Sequence, residues 1–137
     1  MQISQQYAKQ YILAGKSLIT VVNTKTGNQF TYIIRQKKDK VTGKIVRRWY
    51  VKHNSDYLGY ITDNGFYYST GIDVKLMYSQ AMEVWAWIWL RITEQTVPDY
   101  IHILRSDFCG ACGRQLTDSV SLSFGIGPEC RKKLGIE

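Results

Sequence analysis

The chain has 137 residues, 45% hydrophobic and 21% charged, with only two prolines, a composition that supports a buried core and excludes disorder as a description of the whole. Its formal charge is +7, from 18 basic against 11 acidic side chains, which points to a polyanionic or acidic partner. The longest apolar run, residues 84–90, falls far short of the roughly 20 residues a bilayer crossing needs, and no basic-then-apolar leader opens the sequence, so a cytosolic protein is expected.

In chain order, Ile3, Tyr7 and Tyr11 recur at helical spacing with Ala8 or Ala14, and Gly15 follows as a left-handed stop, which predicts a short amino-terminal helix. Residues 18–23 are β-branched and apolar, residues 24–28 are turn-rich, and residues 29–36 alternate Phe30, Tyr32 and Ile34 against polar neighbours. That pattern predicts a β-hairpin. A second hairpin turns at Val41-Thr42-Gly43 before residues 45–52, and a third pair of strands, 57–62 and 66–69, is joined by Asp63-Asn64-Gly65.

The charge concentrates in the second hairpin. Arg35, Lys37, Lys38, Lys40, Lys44, Arg47, Arg48 and Lys52 are opposed there only by Asp39, so residues 35–52 carry the whole net charge. Either this is a solvated hairpin or it is the binding surface.

From Ser79 to Gln95 there is no Gly or Pro, and Ala81, Trp85, Ile88, Trp89 and Ile92 share one helical face, with Ser79 as N-cap and Pro98 beyond the end. Trp85, Trp87 and Trp89 also alternate as a strand would, but Ala81, Met82, Glu83 and Leu90 favour a helix. Trp87 then points away from the core face, and the amino-terminal helix or the carboxy-terminal module is expected to cover it, in preference to a second copy of the chain.

After a predicted strand at 100–105, Cys109-x-x-Cys112-Gly113 is followed by Gly127-Pro128-Glu129-Cys130. The tight turn of Cys-x-x-Cys-Gly lets two thiolates face one ion, and Pro128 opens a short helix that places Cys130 near its amino terminus, where thiolate is favoured. The spacing fits a two-knuckle zinc site, so Cys109, Cys112 and Cys130 are read as ligands of one structural zinc. Lys133 stands where the fourth ligand of such a site would lie. His102 is the leading substitute, with Asp107, Asp118, a water or a neighbouring molecule as alternatives; His102 also reads as an ordinary strand residue between Ile101 and Ile103. His53 reads as a solvated turn residue. A redox pair, a disulfide and a cysteine nucleophile fit less well, because three cysteines converge and no export signal precedes them.

Fold class is therefore α+β: an antiparallel meander with a packed Trp-rich helix, residues 1–98, carrying a treble-clef-like zinc-knuckle module, residues 99–137. No catalytic constellation stands out, so binding is expected rather than enzymatic activity.

The run Cys109-x-x-Cys112-Gly113-Arg114-x-Leu116-Thr117-Asp118, with Ser121 and then Gly125-Ile126-Gly127-Pro128-x-Cys130, resembles the zinc-binding module of small phage and mobile-element proteins, a module also attached to helicase-like proteins. Upstream, Thr26-Gly27, Phe30-Thr31-Tyr32, Tyr57-Leu58-Gly59 and the Trp-rich segment are similar to the phage members. Those relatives usually carry a histidine shortly before the first cysteine, where Arg105 stands here. The resemblance extends to zinc-containing anti-CRISPR proteins acting on type II systems. It implies an inhibitor that binds a host RNA-guided DNA nuclease in the bacterial cytosol. The alternative is a nucleic-acid-binding accessory protein, in which the basic hairpin contacts phosphates while Trp49, Tyr50, Tyr57 or Tyr60 stacks on bases.

Overall fold

The computed structural model describes residues 1–136. The amino-terminal helix, α1 (Gln5–Ile12), leads into strands β1 (Lys16–Asn23), β2 (Gln29–Lys38), β3 (Ile45–His53), β4 (Asp56–Thr62) and β5 (Gly65–Tyr68). Each of these strands pairs antiparallel with its successor, which is the expected meander. A short helix absent from the sequence reading, α2 (Val74–Met77), precedes α3 (Gln80–Glu94), and the chain then returns as β6 (Ile101–Arg105). β6 does not extend the meander at β5. It pairs antiparallel with β1 on the opposite edge, giving six strands in the order β5-β4-β3-β2-β1-β6.

α3 begins where its cap chemistry says it should: Ser79 Oγ accepts from the Met82 amide at 3.2 Å. Ala81, Trp85, Ile88, Trp89 and Ile92 are all buried against the sheet, and each fully buried aliphatic side chain contributes about 1.5–3 kcal/mol. The strand-like alternation of tryptophans is broken by exposure, because Trp85 and Trp89 are buried while Trp87 is 38% exposed. Contrary to expectation, Trp87 is left partly exposed. α1 meets the far end of α3, where Gln5 Oε1 accepts from the Val97 amide at 2.9 Å, and Trp87 borders a groove beside Phe30 and Tyr100.

Polar ties fix both helices to the sheet. Tyr32 Oη donates to the Ala81 carbonyl at 2.6 Å within the core, and Trp49 Nε1 donates to the Leu13 carbonyl at 2.9 Å. His53, instead of being a solvated turn residue, is half-buried on this same side, its ring 5.7 Å from Phe30 and 5.8 Å from Tyr32.

All the helical cover lies on one side of the sheet. Strand alternation sends Ile19, Val21, Tyr32, Ile34, Trp49, Val51, Ile101 and Ile103 into the core and the intervening residues to the other side. None of those intervening residues is buried. The fold is thus two layers, helices on a sheet, with the second sheet face open to water, as antiparallel sheets permit.

Beyond β6, helices α4 (Ser119–Phe124) and α5 (Pro128–Leu134) complete the described chain. α4 is a further element that sequence periodicity did not signal; α5 matches the helix predicted to open at Pro128. Cys109, Leu116 and Ile126 form a small second core with Ala14, two residues past the end of α1. Among the described residues, no helix is long and apolar enough to cross a membrane.

Candidate metal centre and basic sheet face

The knuckle is built by backbone bonds around Cys109. Its amide donates to the Arg114 carbonyl at 2.8 Å, its carbonyl accepts from Gly113 N at 2.9 Å, and Phe108 bridges Gln115 across the turn. Gly113 closes the turn at φ +79, a conformation that costs an L-residue about 1–2 kcal/mol. Asp118 then caps α4 through the Ser121 amide at 2.9 Å, Gly125 ends it in the left-handed region, and Gly127 with Pro128 opens α5 so that Cys130 comes back over the knuckle.

The sulfurs of Cys109, Cys112 and Cys130 lie within 4.8 Å of one another, close enough for one thiophilic ion to draw them into a tetrahedral site. Cys109 is buried, Cys130 half-buried and Cys112 exposed. The amides of Gly127 and Ala111 donate to Cys109 Sγ at 3.3 and 3.4 Å. Although burial raises the Cys109 pKa, these amides and Cys112 outweigh it and bring the thiol down to about 7. The Gly127 amide, at the start of α5, points to Cys109 Sγ. Cys130 is pushed up to about 12 by burial and by its sulfur neighbours, a penalty of crowded negative charge that a cation cancels. The donor set fits a single metal ion.

His102 is not among the gathered ligands. It sits opposite Val22 in the β1–β6 register, on the open face. It also lies three residues before the end of β6, which at about 3.3 Å per residue is roughly 10 Å back from the point where the chain leaves the sheet for the knuckle. Asp107 lies 3.9 Å from Arg105, and the Asp118 carboxylate is engaged in its cap. A cavity of about 360 Å³ borders the sulfurs, lined also by Arg114, Asp118, Glu129 and Lys133.

This centre is seated on α1. The Gly110 amide donates to the Gly125 carbonyl at 2.9 Å, and a Cβ on either glycine would strike the Tyr11 ring. Phe124 packs on Tyr7 with ring centroids 4.8 Å apart. Arg105 is 4% exposed and donates to the Ser106 carbonyl at 2.7 Å. Burial lowers its pKa from the ordinary arginine value.

The structure divides the eight cations of residues 35–52. Lys38, Lys40 and Lys44 surround the exposed β2–β3 turn, with Asp39 held by the Val41 and Thr42 amides at 2.8 and 3.0 Å. Arg47 lies on the helix side, paired with Asp63 at 2.8 Å. Arg35, Lys37, Arg48 and Lys52 belong to the open sheet face. Cross-strand register brings Tyr50, Tyr60 and Tyr67 into line there and adds Lys16, opposite Arg35. The Arg48 guanidinium sits 4.3 Å above the Tyr60 ring and Lys37 5.9 Å from Tyr50. Trp49, one of the expected stacking residues, is 3% exposed in the core and cannot serve. Lys16 and Tyr67 were missed because both lie outside the charged run, and only the pairing register reveals them.

Residues 102–135 match a family of unknown function, DUF6011, and the match spans all three cysteines. Comparison with curated proteins and with solved structures finds no match.

Proposed function

We propose that this is a nucleic-acid-binding accessory protein of a phage or mobile element, acting by binding rather than catalysis. The observation that carries the reading is the placement of the cations: the β2–β3 hairpin projects its lysines into solvent, its one carboxylate, Asp39, is engaged by its own turn, and the flanking strands continue the positive surface. Such a surface attracts phosphates and releases counterions.

Zinc is the metal this donor set suits, since clustered thiolates select soft or borderline ions and Cys-x-x-Cys knuckles hold zinc structurally. Cys109, Cys112 and Cys130 would hold it. When bound, it supplies a cross-link that ties the knuckle to α5. The chain's own residues then keep the module on α1 through Tyr7, Tyr11 and Phe124, which positions β6 and with it the sheet.

A second reading is favoured by the resemblance of the carboxy-terminal residues: an anti-CRISPR-like inhibitor that binds a host type II RNA-guided nuclease and blocks its DNA targeting. There the hairpin would dock on an acidic face or compete for a groove that carries RNA or DNA. Binding to short single- and double-stranded DNA, followed against salt, tests the first reading. If neither binds at physiological salt, or if replacing Lys40 and Lys44 with Ala leaves the salt slope unchanged, direct recognition by the hairpin fails. Co-elution with the nuclease with and without guide RNA tests the second; absence of both co-elution and inhibition refutes it.

A further inference from the structure

The open face of the sheet carries an arrangement the hairpin reading does not use. Register aligns Lys16, Arg35, Tyr50, Tyr60 and Tyr67 in one row across five strands, about 19 Å long at the usual strand spacing. A neighbouring row holds Leu18, Ile33, Lys52 and Tyr57. The rings form two contacting pairs set side by side by the register: Tyr60 stacks on Tyr67 at 5.7 Å and Tyr57 meets Tyr50 edge-on at 5.5 Å. Arg48 lies flat over Tyr60. Among the described residues, no Asp or Glu occupies a strand position on this face, and no helix packs on it.

We propose that this face binds single-stranded nucleic acid, with bases stacking on Tyr50, Tyr60 and Tyr67 and phosphates paired to Lys16, Arg35 and Arg48. An exposed ring, Tyr67, continued by the half-buried rings of Tyr60 and Tyr50, framed by cations and free of carboxylates, suits a polyanion whose bases are unpaired. A duplex hides its base faces inside its own stack, whereas a single strand lays them on an open sheet, two or three at a time. Duplex binding, where it occurs, belongs to the hairpin turn. The inference rests on the nucleic-acid reading above and specifies both the strandedness of the ligand and the surface that takes it.

The test uses the full, zinc-loaded chain and fluorescence anisotropy of a labelled short oligothymidylate against a labelled duplex of equal length. Single strand is expected to bind at least about tenfold tighter than duplex, and Tyr60→Ala and Tyr67→Ala each to weaken it about fivefold or more without changing the salt slope. Tyr60→Phe keeps the ring and is expected to bind like the parent. Arg48→Ala and Lys16→Ala lower the slope of log affinity against log salt by about 0.7 each. Tyr67, 45% exposed, is the variant least able to disturb the fold. Parental affinity in Tyr67→Ala and Tyr60→Ala, or equal affinity for duplex, overturns the platform. If that happens while Lys40→Ala and Lys44→Ala still weaken binding, the hairpin reading survives. Absence of binding to either nucleic acid removes both.

Discussion

Gly125 and Gly113 offer a matched pair for testing how the metal module is seated. Their backbones are nearly alike, φ +72 and +79, but a Cβ on Gly125 would lie 2.6 Å from Tyr11 Cδ1 and 3.0 Å from Arg105 Cδ, whereas at Gly113 nothing lies within 4 Å. Ala in the left-handed region costs about 1–2 kcal/mol at either position. At Gly125 overpacking adds about 1–3 kcal/mol, because Tyr11 and Arg105 are 1% and 4% exposed and have nowhere to move. Gly125→Ala should therefore lose about 2–5 kcal/mol against about 1–2 kcal/mol for Gly113→Ala. At roughly 3 °C per kcal/mol for a domain of this size, the extra clash lowers the melting temperature by about 3–9 °C. Thermal unfolding of the metal-saturated proteins by circular dichroism reads the difference. In a double mutant with Tyr11→Ala the closest clash disappears and only the 3.0 Å contacts with Arg105 remain, so the combined loss should be smaller than the sum. Equal melting temperatures for the two glycine variants, or strict additivity in the double mutant, would refute the seating of the module on α1.

Chelation should remove about one zinc per chain and increase amide exchange across residues 107–136 while β1 to β4 stay protected; uniform exchange across the chain contradicts a local structural metal. Cys112→Ser, although exposed, should lose metal as Cys109→Ser does, checked by metal analysis. Tyr32→Phe removes the buried hydroxyl bond to the Ala81 carbonyl, which keeps its helical partner, and should cost about 0.5–1.5 kcal/mol in urea unfolding. Asp63→Asn weakens the hold on Arg47 and should strengthen nucleic-acid binding and steepen its salt slope; an unchanged slope would place Arg47 outside the interface. The amides of Val41 and Thr42, with a smaller contribution from Lys37, hold the Asp39 carboxyl below the ordinary carboxylate range. The stabilisation of its turn is thus complete above the unfolded value near 3.8 and lost as pH falls through the lower folded value. An NMR titration of the Val41 amide with a midpoint at or above the ordinary value would contradict this.

The elements with a strong local signature were legible in the sequence. Ser79, Pro98 and the run from Ala81 to Ile92 define α3 because capping and helical period agree, and Asp63-Asn64 joins β4 to β5 because its turn chemistry is local. Cys-x-x-Cys-Gly and Gly-Pro-x-Cys brought the three sulfurs together for the same reason. What depends on distant partners was not legible. The placement of β6 beside β1 needs the sheet order, and with it goes the position of His102, which alternation sends to the face away from the core. Trp49 looked available as an aromatic among cations, but its neighbours across the strands are core residues. Lys16 and Tyr67 gained significance only through register. α2 and α4, of four and six residues, are too short to leave a periodic trace.

The return of β6 to β1 also constrains how the protein is made. The amino-terminal amine donates to the Arg105 carbonyl at 3.1 Å across a sequence separation of 104 residues, and Ile19 must wait for Arg105 to complete its edge. Closing so long a loop is entropically costly and slow. On the ribosome the meander and α3 can form early, but one edge of β1 stays unpaired until β6 has emerged. The knuckle follows β6 directly, so the thiolates converge only after that edge is sealed. Sheet closure and convergence of the thiolates therefore fall almost together, leaving one exposed strand edge before them as the aggregation-sensitive stage of folding.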